Sequence, residues 1–64
     1  MTRQEFRAEA VALGATVHEG RVFERGRKPG ALVTLTREGW DYQAQAPKLR
    51  DARIMALMLL RRDS

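Results

Sequence analysis

The sequence predicts an α+β fold, helix-strand-strand-strand-helix, with an antiparallel sheet and both helices on one of its faces. Three observations carry this prediction. A capped amphipathic segment opens the chain, a β-former-rich stretch punctuated by Gly and Pro occupies its middle, and a strongly apolar segment closes it.

Thr2 is a good helix N-cap, and Glu5 three residues later completes the capping-box spacing. Phe6, Ala10 and Leu13 then recur at i, i+4, i+7 while Arg3, Glu5, Arg7 and Glu9 take the other face, and Gly14 suits the position just past a helix end. The first element is therefore a helix over residues 3–13. Arg3 and Arg7 flank Glu5 and Glu9, which reads as a solvated face rather than a catalytic acid pair.

In the middle of the chain, Trp40, Tyr42, Ala44 and Ala46 alternate strictly with Asp41, Gln43 and Gln45, the period of a half-buried strand. Small residues beside the two aromatics suit a helix packed close, so Trp40 and Tyr42 are expected in the core. The run from Ala31 to Thr36 is a second strand with Val33 and Leu35 inward, leaving Thr34, Thr36, Gln43 and Gln45 on a wet face. Arg37-Glu38-Gly39 joins the two as a hairpin, with Gly39 expected in the left-handed conformation of a G1 bulge. The first strand is expected over Arg21 to Arg25, with the segment before it a connection. The alternative is a fourth short strand at residues 15–19, because His18-Glu19-Gly20 echoes Arg37-Glu38-Gly39.

Pro47 suits the first turn of the last helix, where a missing N–H is no loss. From Ile54 to Leu60 this helix has seven consecutive apolar residues, which at about 100° per residue cover its whole circumference. Leu49, Ala52, Met55 or Ala56, and Leu59 form the stripe expected to face the sheet. The opposite side, centred on Ile54, Leu57 and Met58, is then expected to be an interface with a second copy or another protein.

Sixty-four residues make one domain, near the lower limit for a self-sufficient core. With no cysteine and one histidine, disulfides, thiolate chemistry and ordinary His/Cys metal sites are excluded, and no cofactor is expected. His18 stands in no Ser/His/Asp set, and no phosphate-cradling Gly loop is present, so the sequence reads as a non-enzyme. The N-terminus lacks a signal-peptide run, and the longest apolar run falls far short of the roughly 20 residues that cross a bilayer. A soluble, cytoplasmic protein without membrane contact is expected.

Twelve Lys and Arg against eight Asp and Glu give a net charge of +4, and the pI is near 10.7. So positive a field on so small a body makes nucleic acid the leading class of partner. The cations cluster twice. Arg25, Arg27 and Lys28 sit among Gly26, Pro29 and Gly30, hence on a loop, where phosphate contact is geometrically easy. Lys48, Arg50 and Arg53 mark the start of the last helix, where the dipole favours acids, so cations there suggest an anion outside. The rival reading is a non-enzymatic interaction or regulatory module that uses the apolar face of the last helix, with incidental basicity.

The α-β-β-β-α order, together with Arg50-Asp51-Ala52-Arg53 followed by Met55-Ala56, resembles the double-stranded RNA-binding domain and the Lys-x-Ala-Lys, alanine-rich opening of that family's last helix. The resemblance extends over nearly the whole chain. It implies that residues 26–30 form a loop that enters a minor groove and that Lys48, Arg50 and Arg53 lie on a helix spanning duplex RNA or DNA phosphates. That family's loop usually reads Gly-Pro-x-His, whereas here Pro29 is followed by Gly30 and no histidine.

Overall fold

A computed structural model describes every residue except Glu24, Arg27 and Ser64. The elements run α1 (Arg3–Ala12), β1 (Thr16–Val22), β2 (Gly30–Arg37), β3 (Trp40–Ala46) and α2 (Leu49–Arg62). The three strands form one antiparallel sheet in the order β1-β2-β3, as the hydrophobic pattern predicts.

Both ends of α1 are chemically specified. The Thr2 hydroxyl accepts from the Glu5 N–H at 3.1 Å and the Glu5 carboxylate accepts from the Thr2 N–H at 3.3 Å, so two otherwise orphaned donors are satisfied. At the other end, Gly14 takes a φ of +82°, its N–H donates to Val11 O, and the Ala15 N–H reaches back to Ala10 O. This is the paired hydrogen-bond pattern of a Schellman cap, and Ala10 and Ala15 are both buried beside it.

The β2–β3 hairpin turns through Glu38 and Gly39, with φ of 52° and 82°, and Arg37 pairs directly with Trp40. Two successive positive φ values define a two-residue type I′ turn, whose twist matches the flanking strands. The register continues without an extra residue, so the expected G1 bulge is replaced by this tighter turn. β1 begins at Thr16, five residues earlier than the predicted Arg21, and pairs with β2 from Thr16–Thr36 to Val22–Gly30. Residues 15–19 therefore add no fourth strand. Glu19-Gly20, the echo of the hairpin turn, is continuous strand.

One core joins both helices to one sheet face: Phe6 and Ala10 from α1; Val33, Leu35, Ala44 and Ala46 from the sheet; Ala52, Ala56, Leu57 and Leu60 from α2. Strand pairing puts Thr16, His18, Thr34, Gln43 and Gln45 on the opposite, open face, where Gln43 donates to the Thr34 hydroxyl at 3.3 Å. Trp40 shares the helix-side parity of Tyr42 but lies at the sheet's end, past the cover of the helices, and is 72% exposed rather than core. Tyr42 is half-buried, and its hydroxyl donates to Asp63 at 2.9 Å.

The register of α2 also differs from the predicted stripe. Ala52, Ala56, Leu57 and Leu60 are buried, whereas Met55 is 45% exposed and Leu59 only half-buried. Leu57 thus belongs to the core and not to an outer interface; of the three predicted interface residues, only Ile54 and Met58 face outward. The N-cap is Lys48, with no side-chain cap, so Pro47 precedes the helix rather than occupying its first turn.

Candidate nucleic-acid interface

The sheet register fixes which cations can act together. Val22 pairs with Gly30 and Ala31 with Ala46, so the end of β1, the start of β2 and the end of β3 lie at one end of the sheet. The loop after β1 and the Pro47-Lys48 entry into α2 therefore share that end. A shallow depression there is bounded by Val22, Lys28, Pro29, Gly30, Ala46 and Pro47, and a neighbouring one brings Arg21 beside Pro47 and Leu49.

The helices run in the same direction. The Arg53 guanidinium lies 5.7 Å from the centroid of the Phe6 ring, early in both helices, and Arg61 pairs with Glu9, late in both. Both helix N-termini, with their unsatisfied N–H groups and positive dipole ends, consequently point to the end that carries the basic loop. The N-terminus of α1 is closed by its capping box, but that of α2 has no side-chain acceptor.

Of the six predicted phosphate-contacting residues, Arg25, Lys28 and Lys48 are exposed at this end and have no salt-bridge partner among the described residues. Arg27 lies outside the described residues. Arg50 is exposed too, with a loose contact of 3.9 Å to the neighbouring Asp51, a surface pair that holds neither side chain firmly.

Arg53 is placed differently. It forms a two-point ion pair with Glu19 on β1, Nε to one carboxylate oxygen and Nη2 to the other at 3.2 Å, and only 15% of its side chain is exposed. Arg7 of α1 approaches the same carboxylate at 3.8 Å. The hydrogen bond from Arg53 holds the Glu19 carboxyl below the usual carboxylate range against the opposing effect of burial, and the same bond raises the Arg53 pKa. Arg53 is thus occupied as a strut between β1 and α2, and it is less available to a phosphate than its sequence position suggests.

Arg21 is a further cation near this end of the sheet that the sequence reading did not single out. The register Glu19–Val33 and Arg21–Ala31 puts it on the helix side of β1, one strand-step beyond Glu19, and it is exposed without a salt-bridge partner among the described residues. The alternation of Val17, Glu19 and Arg21 would have revealed it once Thr16–Val22 was recognised as strand. His18 lies exposed on the open face opposite Thr34, and no group of three His, Cys, Asp or Glu among the described residues could hold a metal. No described helix is long and apolar enough to cross a membrane. No protein-family model, curated protein or solved structure matches this chain.

Proposed function

We propose that this protein binds nucleic acid through its backbone phosphates, using the basic end of the fold in the manner of a double-stranded RNA-binding domain. One observation carries the reading. Arg21, Arg25, Lys28 and Lys48 gather, without salt-bridge partners among the described residues, where the uncapped N-terminus of α2 also points. Cations that already have acids beside them gain little from a phosphate, whereas unpaired ones gain Coulomb energy and release the counterions of the polyanion. Lys28 on the loop and Lys48 on the helix entry offer points of contact from two different elements at one end of the sheet.

A titration with duplex RNA, duplex DNA and single strands at two salt concentrations tests this. Affinity is expected to fall steeply with salt, and the double variant Lys28→Ala/Lys48→Ala to flatten the slope of log K against log salt by about two. Absence of binding at low salt, or an unchanged slope in the variant, overturns the proposal. The second reading, a protein-interaction module, is favoured by the exposure of Ile54, Met55 and Met58 along α2. It predicts binding to a protein partner that is nearly insensitive to salt.

A further inference from the structure

The free edge of β3 is unguarded, and the chemistry around it is self-complementary. The type I′ turn makes Arg37 and Trp40 the first hydrogen-bonded pair of the hairpin, and such pairs alternate along an antiparallel ladder. Tyr42, Ala44 and Ala46 therefore turn their peptide groups towards β2, while Asp41, Gln43 and Gln45 turn theirs outward. Exposed edges are ordinarily blunted by Lys, Pro or a bulge. β3 has none of these, and its one charge, Asp41, sits near its start. The other edge, β1, has α1 packed against it and carries His18, Glu19 and Arg21.

We infer that two copies of this chain pair antiparallel through β3 about a twofold axis at Gln43, joining their sheets into one of six strands. This inference is independent of the nucleic-acid reading. With Gln43 opposite itself, all three outward-facing residues of each copy find partners: Gln43 meets Gln43, and Asp41 meets Gln45 of the second copy, a carboxylate against an amide donor. On the helix side the same register sets Tyr42 against the small Ala44 of the second copy, so bulk meets space.

The position of α2 fits the same axis. This helix packs on β2 and β3 alike, so its axis runs near the line between them. With strands about 4.8 Å apart, a twofold midway between the two β3 strands brings the two α2 axes about 10 Å apart, the distance at which helices pack. The side of α2 that faces the partner is apolar except for Arg62 near the end of the helix. Met55, Met58 and Leu59 border a groove of about 340 Å³ above Gln43, Ala44 and Gln45, with Met58 60% exposed. Addition of a second sheet edge closes that groove, and two thioether side chains can adapt to the facing helix. A five-residue strand edge with three apolar side chains is roughly half of the ~800 Å² per partner of a standard interface, so the dimer is weak and reversible.

The chain has no cysteine, so a single introduced thiol reports the register. In a hydrogen-bonded antiparallel pair the Cα atoms are about 5.5 Å apart, within reach of a disulfide. Gln43→Cys is expected to cross-link to a covalent dimer under mild oxidation. Gln45→Cys, whose own mate would lie about 13 Å away along the strands, is not. In sedimentation equilibrium from micromolar to millimolar concentration the unaltered chain should show a monomer–dimer equilibrium. Gln43→Pro removes an outward N–H together with the exposed side-chain hydrogen bond to Thr34, and Met58→Lys places like charges in the groove; each should raise the dissociation constant at least about tenfold with an unchanged circular dichroism spectrum. If Gln43→Pro unfolds the chain, the cross-linking pair and Met58→Lys decide. A monomer throughout the range, equal cross-linking of the two thiol variants, or a dimer indifferent to Met58→Lys overturns the inference.

Discussion

Glu19 is a meeting point of charges in this fold, because it receives Arg53 from α2 and Arg7 from α1 while standing on β1. Three elements are tied at one carboxylate of which only 13% is exposed, and the Arg53 guanidinium also covers the face of the Phe6 ring. A partly buried charged hydrogen bond of this kind is worth about 1–2 kcal/mol, and removing one partner leaves the other poorly solvated. Glu19→Ala and Arg53→Ala should therefore each lower stability by about that amount in urea unfolding, while Arg50→Ala, in its exposed pair, should change it by less than about 0.5 kcal/mol. Arg53→Ala assayed under folding conditions should leave the salt slope of nucleic-acid binding unchanged. The pH dependence follows from the same contact. The folded-state pKa of Glu19 is depressed, so its contribution is fully present above the ordinary carboxylate range and is lost as pH falls through the depressed value. Stability should decline on acidification below about pH 4.5, and Glu19→Gln should flatten that decline. A Glu19→Gln variant with an unaltered acid profile would show that other carboxylates govern it.

At the level of elements, local chemistry dictates α1 and the β2–β3 hairpin, while long-range contacts decide β1 and the register of α2. Thr2, Glu5 and Gly14 act within a few residues of where they stand, and the alternation in β3 is strict, so these elements are legible in the sequence. β1 is not, because its helix-side position Glu19 looks like a turn residue until Arg53, 34 residues away, supplies the charge that lets it turn inward. Trp40 misled for a geometric reason: strand parity gives the face but not whether a helix extends far enough to cover it. The register of α2 was illegible because seven apolar residues in a row carry no period. In the fold Arg53 and Arg61 lie beside Glu19 and Glu9, Leu57 and Leu60 turn inward, and Met55 and Met58 stay outside. The same limit applied to the candidate site, where the loop and helix cations were visible as clusters but Arg21 and the true role of Arg53 depended on β1. The register makes a sharp prediction. Leu57→Asp buries an unpaired carboxylate and should abolish the folded circular dichroism spectrum, whereas Met58→Asp should retain it. Leu60→Ala should cost about 2–4 kcal/mol. A folded Leu57→Asp variant would mean that α2 is rotated from the register described.

Over the whole molecule, charge and stability are linked through the basic end. Seven of the twelve fully or nearly buried core residues are alanines, so the apolar volume that holds two helices on the sheet is small for an already short chain. A fold with little margin responds measurably to any ligand that binds only its native state. The cations Arg21, Arg25, Lys28 and Lys48 converge only when β1, β2, β3 and the start of α2 are in register; in the unfolded chain they are merely four charges spread over 28 residues of sequence. A polyanion should therefore bind the folded state in preference to the unfolded one, and at about 100 times its dissociation constant add about 2.7 kcal/mol to stability. For a domain of this size that corresponds to a rise in Tm of about 10–20 °C. Thermal unfolding followed by circular dichroism, with and without a duplex RNA at low salt, is expected to show such a rise. Both added salt and the Lys28→Ala/Lys48→Ala substitution should abolish it while leaving the Tm of the free protein within a few degrees. A duplex that leaves Tm unchanged, or one that raises it equally in the double variant, would show that these cations do not form a nucleic-acid interface.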